Sequence, residues 1–337
     1  MKSNIVAQPD TRHLLRMTDS TGIFQHAVGG IPDPVEGYTS DDNARALITA
    51  VLLYCRPGDN NGKGLYENLI VRYLSFLRFA ENNGWFRNFM GYDRNFLEKK
   101  GSEDSFGRCI LALGYTAGEK RLPEYIREGA EFILRETFRS SQKLTFLKSK
   151  AYALAGLSFW NISDTKRTAE LLADSIEASF TVNHTADWPW FENELTYCSG
   201  IMPFALLRAR IFGKDYEKTG LESLEFLSSV VFRNGIFKPV GCNGWLKKGG
   251  TPAMYDEQPV EACNMQIACR EAFLVTGRQL WNDRAAVCRS WYTGNNSAGI
   301  SVIDAETGGC MDGIEQNGIN RNQGAESLVC SLISQLI

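Results

Sequence analysis

"SDDNARALITAVLL", residues 40–53, opens with two carboxylates, an amide and a guanidinium, then turns apolar on nearly every side. A helix apolar all round is a buried helix. Its polar opening then marks the end that meets solvent or a cavity. Five more segments follow this plan: "EDSFGRCILALGY" (103–115), "SKAYALAGLSFW" (149–160), "CSGIMPFALLRA" (198–209), "QPVEACNMQIAC" (258–269) and "QGAESLVCSLIS" (323–334). Counted from Asp42, comparable openings fall near Asp104, Lys150, Ser199, Pro259 and Ala325, at steps of 62, 46, 49, 60 and 66 residues.

Between these segments lie stretches with one wet face. "LYENLIVRYLSFLRFAENN" (65–83), "LPEYIREGAEFILRETF" (122–138), "DTKRTAELLADSIEASF" (164–180) and "DYEKTGLESLEFLSSVVF" (215–232) carry apolar residues at three- and four-residue steps. These are amphipathic helices. Each step therefore fits a loop, an outer helix, a second loop and an inner helix, with "DTRHLLRMT" (10–18) supplying the first outer helix. Six inner helices alternating with six outer ones predict an all-α (α/α)6 toroid. No Pro/Gly/Ser linker or composition shift divides residues 1–337, so a single domain is expected. In such a toroid the six polar openings converge on one pocket, their helix dipoles pointing in.

The bulk properties exclude several classes. Net charge is −3, with no basic stripe to neutralise phosphates, so no nucleic-acid partner is expected. No apolar run approaches the length of a membrane span, and "MKSNIVAQPDTRHLLRM" lacks the apolar stretch of a secretory signal. The nine cysteines are odd in number, irregularly spaced and without a CxxC pair, which fits free buried thiols in a reducing cytoplasm. His13, His26 and His184 form no metal pattern, and the glycine-rich pieces lack a phosphate-cradle setting. Neither a metal nor a cofactor is expected.

The rim loops have an unusual composition. "NGWFRNFMGYDRNFLEKKGSED" (83–104), "TADWPWFENELTY" (185–197) and "NGIFKPVGCNGWLKKGGTPAMYDEQP" (234–259) mix flat aromatics with amides and carboxylates. Aromatic faces cover the C–H surfaces of sugars while polar groups take the hydroxyls. Trp85, Arg87, Asp93, Trp188, Trp190, Glu194, Trp245, Asp256 and Gln258 are the candidate sugar contacts from these loops. His26, Tyr38, Asn43, Arg45, Asp312, Asn322 and Gln323 join them from the segments around the first and last inner helices. Cleaving a glycosidic bond normally takes one carboxylic acid and a second carboxylate. Asp41, Asp42, Asp104 and Glu326 are the candidate catalytic groups. Asp41 and Asp42 are adjacent and repel each other, which raises one pKa unless Arg45 compensates. Glu326 sits among small residues that admit a substrate.

"TGIFQHAVGGIPDPVEGYTSDDNARAL" (21–47), "DWPWFENELTY" (187–197), "GCNGW" (241–245), "YDEQPVEA" (255–262) and "DAETGGCMDGIEQNGINRNQGAES" (304–327) resemble a bacterial family of six-hairpin, glycosidase-like domains. That family occurs alone or fused behind a glycosyltransferase domain. The resemblance spans residues 19–334 and implies an (α/α)6 toroid that acts on or binds carbohydrate, with a glycosyltransferase as an associated partner. Its members continue after "LTY" with an Asp-Asn-Ala-like stretch, where this chain has Cys198, Ser199 and Gly200. By a looser analogy of fold, some inverting six-hairpin glycosidases pair an Asp near the first inner helix with a Glu near the last, which matches Asp41 or Asp42 with Glu326.

The resulting expectation is a cytoplasmic glycoside hydrolase acting on an oligosaccharide. Two alternatives stand beside it. One is a sugar epimerase or isomerase on the same fold, which usually relies on cavity histidines. The other is a non-catalytic glycan-binding partner of a glycosyltransferase, motivated by the Cys198–Gly200 departure.

Overall fold

The computed structural model of the protein describes residues 8–58 and 62–337. Residues 1–7 of the segment read as lacking a secretory signal lie outside the described residues. The helices run α1 (Arg12–Met17), α2 (Ser40–Tyr54), α3 (Lys63–Ala80), α4 (Glu103–Gly118), α5 (Glu124–Thr137), α6 (Leu147–Phe159), α7 (Lys166–Asn183), α8 (Ile201–Ala209), α9 (Glu217–Val231), α10 (Pro259–Thr276), α11 (Gln279–Trp291) and α12 (Ala325–Leu336). The even-numbered helices are the inner ones. Each packs on the next, α2 on α4, α4 on α6, α6 on α8, α8 on α10 and α10 on α12, and α12 closes the ring on α2. The odd-numbered helices lie outside, α3 on α2, α5 on α4, α7 on α6, α9 on α8, α11 on α10 and α1 on α12. This is the expected (α/α)6 toroid.

Small residues set how tightly the ring closes. A Cβ on Gly114 would stand 2.1 Å from the Gly156 carbonyl oxygen, and one on Gly156 would stand 2.3 Å from that of Ile110. Helices α4 and α6 therefore meet backbone to backbone. The outer helix α11 (279–291) has no clear signal in the sequence, where Gln, Asn, Asp and two arginines dilute its apolar face. Only Trp281, Ala285, Cys288 and Trp291 of that helix are fully buried.

Two long connections shape the site. Between α1 and α2 runs a hairpin of β1 (Phe24–Val28) and β2 (Ile31–Thr39), extended by the short strand Phe89–Met90. Between α11 and α12 a small hairpin, Gly313–Glu315 with Gly318–Asn320, is tied through Ile314 to Glu257. Glu257 is wholly buried and accepts the Trp291 indole N–H at 3.2 Å, which anchors the loop that leads into α10.

Candidate functional site

The first turn of α2 is capped by Thr39. Its hydroxyl oxygen accepts the Asp42 N–H at 3.0 Å and its O–H donates to Asp42 Oδ2 at 2.7 Å. This cap fixes the polar opening of the helix at the ring's mouth. One turn later Arg45 gathers three carboxylates. Its Nη1 lies 2.7 Å from Asp41 Oδ1 and 2.9 Å from Asp42 Oδ1, and its Nη2 lies 2.5 Å from Glu326 Oε2. Glu326 stands in the first turn of α12, 281 residues away in sequence.

The network continues to α4. The Arg108 Nε lies 2.8 Å from Asp104 Oδ2 and 3.4 Å from Asp41 Oδ1, with its guanidinium stacked over the Tyr152 ring. Tyr197 donates to Asp104 Oδ1 at 3.3 Å. Asp104 is thus joined to the cluster through Arg108, and it does not line the cleft itself.

The cleft above Arg45 has a volume of about 300 Å³. Its floor is Asp41, Asp42, Arg45 and Glu326. Gln25 and His26 of β1 form one wall, Asn88 and Phe89 another, and Gln258, Asp312, Gly324 and Ser327 complete it. Burial outweighs the guanidinium charges at two of the acids: it pushes the Asp41 carboxyl above the ordinary carboxylate range and the Asp42 carboxyl up to about 7. Burial also raises Asp312, which accepts the Gly324 N–H at 2.9 Å. Below Arg45 the ring axis holds a second, mostly apolar chamber of about 70 Å³, and Arg45 borders both spaces.

The structure thus brings together His26, Asp41, Asp42, Arg45, Gln258, Asp312 and Glu326. Other expected contacts are corrected. Trp85, Trp188 and Trp190 are buried in the core, where Trp85 stacks on Phe106, Trp188 packs on Phe226 and Trp190 packs on Phe191. Tyr38 is buried, stacked on Phe24, and donates to Asp19 at 2.7 Å. Asn43 is a buried clamp that accepts the Ile23 N–H at 3.0 Å and donates to the Thr39 carbonyl at 2.8 Å. Arg87 caps the end of α3 through the Phe79 and Ala80 carbonyls. Asp93 closes a turn on Asn95. Gln323 is buried between Asp304 and Thr307, and Asn322 accepts the Gly29 N–H at 3.0 Å. Asp256 sits in the loop before α10, where its carbonyl accepts the Cys242 N–H. Glu194 pairs with Lys247 in a short ladder, and half-buried Trp245 leans on Tyr197. None of these lines the cleft.

Gln25, Thr39, Gly324 and Ser327 line the cleft with no signal in the sequence, and Asn88 and Phe89 line it from the aromatic–polar loop of residues 83–104. The Asn88 Oδ1 accepts the Asp41 N–H at 3.2 Å and the Ser105 hydroxyl at 2.8 Å, which joins α2 to α4. At the Cys198–Gly200 departure, Cys198 is buried with a positive φ of 50°. Its N–H donates to Glu261 Oε1 at 2.6 Å, so α10 supplies the carboxylate nearest the start of α8.

No family model matches the sequence, and no curated protein matches it significantly. Solved structures of the same fold do. Cellobiose 2-epimerase from Bacillus thermoamylovorans B4167 superposes with a TM-score of 0.69 at 10% identity, covering 96% of this chain and 94% of that one. A D-mannose isomerase gives 0.66 at 13% identity over 96% and 95%. The cellulase Cel9M of C. cellulolyticum gives 0.62 at 12% identity over 94% and 86%. At these identities the likeness is one of architecture: the chain is an (α/α)6 toroid, similar in fold to sugar epimerases and to a cellulase.

Proposed function

We propose that the protein is a carbohydrate-active enzyme that hydrolyses a glycosidic bond of an oligosaccharide. The observation that carries this reading is the meeting of Asp41, Asp42 and Glu326 on Arg45 at the floor of an open, polar cleft. Asp41 and Glu326 are the accessible carboxylates, with side chains 25% and 40% exposed. They divide the roles of acid and of base or nucleophile between them. Asp42 is far more buried and is held by Thr39, so it acts as a positioning residue for Arg45. Gln25, His26, Asn88 and Gln258 offer hydrogen bonds to sugar hydroxyls, and Phe89 offers an apolar face. The carbohydrate substrates named for the structural neighbours support this class of ligand.

The test is sugar release from a panel of oligosaccharides. Asp41→Asn and Glu326→Gln should each slow it by about 10²–10⁴-fold while far-UV circular dichroism stays unchanged. Full activity in both variants would overturn the assignment.

His26 facing Asp312 across the cleft favours a second reading, epimerisation or isomerisation of a sugar. Two-sided proton transfer needs two such groups. His13 is bonded to the Gln323 carbonyl and His184 is paired with Glu222, so neither supplies the second one. An isomer formed without hydrolysis would identify this activity. Oligosaccharide binding by calorimetry without any turnover would instead mark a glycan-binding partner of a glycosyltransferase.

A further inference from the structure

Five buried thiols cluster in the last third of the ring: Cys263 and Cys269 on α10, Cys288 on α11, Cys310, and Cys330 on α12. Two pairs interact across packed helices, Cys269 with Cys288 between α10 and α11 and Cys263 with Cys330 between α10 and α12. The pairs differ in surroundings. Cys269 and Cys288 are wholly sealed between α10 and α11. Cys263 and Cys330 border the axial chamber, beside Asn264 and below Arg45. Cys330 also stands four residues after Glu326, on the same face of α12.

We propose that Cys263 and Cys330 form an oxidation site, at which hydrogen peroxide entering the chamber converts the pair to a disulfide tying α10 to α12 beneath the cleft. One thiol sulfur attacks a peroxide oxygen. The O–O bond breaks, a water leaves with the thiol proton, and a sulfenic acid remains. The second thiol then attacks that sulfur, the S–S bond forms, and the sulfenic oxygen leaves as a second water. The two sulfurs lose two electrons and the peroxide gains them, so no other reductant or oxidant is involved. The mutual interaction and burial hold Cys330 protonated, which makes the reaction slow, because the thiolate is the nucleophile. The tie would pull on the helix that presents Glu326 one turn above. The site stands independently of the reaction proposed for the cleft.

The experiment treats the folded, full-length protein with hydrogen peroxide, alkylates it in denaturant without reductant, and maps disulfide-linked peptides by mass spectrometry. A Cys263–Cys330 link should exceed any Cys269–Cys288 link by at least about tenfold, because only the first pair meets the chamber. It should vanish on treatment with dithiothreitol and be absent from Cys330→Ser. Equal yields at both pairs, or no Cys263–Cys330 link until the protein is unfolded in urea, would overturn the proposal. The wild-type map decides the matter even where the serine variant folds poorly.

Discussion

Glu261 takes the Cys198 N–H at 2.6 Å beside Thr196, Ser199 and Met265. Burial raises its pKa to about 7, well above the ordinary glutamate value near 4.3. Between those values the folded protein holds a proton that the unfolded chain has lost. This group's contribution to stability is therefore fully present below about pH 4 and is lost as pH rises towards 7. Glu261→Gln should remove that loss, so its urea midpoint should fall less between pH 5 and pH 8 than that of the wild type. An identical fall in both proteins would refute the assignment. Residues of this kind were hard to read in sequence. Asp41, Asp42, Arg45 and Glu326 were legible because each opens an otherwise apolar helix. Trp85, Trp188 and Trp190 were misplaced because loop composition does not reveal which way a ring turns.

Helix α6 shows how much of the fold lies in the spacing of small residues. Its run "KAYALAGLSF" has almost no polar face, which marked it as an inner helix, and Gly156 lets it touch α4 backbone to backbone. Gly156→Ala places a methyl where the Ile110 carbonyl stands. Overpacking of this kind costs about 1–3 kcal/mol, and more where the backbone must move. A lowered urea midpoint with an unchanged m-value would show it, and a neutral change would mean that the helices separate easily. The same logic explains what stayed hidden. Helix α11 buries only four residues, too few for a clear period. The β1–β2 hairpin places Gln25 and His26 over the cleft by backbone pairing, which no helical pattern announces.

At the scale of the molecule, the ring joins α2 to α12 through Arg45 and Glu326. A double-mutant cycle of Arg45→Met and Glu326→Gln, read by denaturant unfolding, should return a coupling of about 0.5–3 kcal/mol. Strict additivity would mean that the pair is solvated and contributes little to closure. The closure also has a temporal side. A growing polypeptide makes Asp41, Asp42 and Arg45 early, yet the partner they need arrives 281 residues after Arg45. Until α12 emerges, the guanidinium lacks one of its anions, and the flanks of α2 and α10 stand bare. The floor of the cleft is thus an ending rather than a foundation: a chain stalled before residue 325 would hold most of the helices and a floor still lacking Glu326.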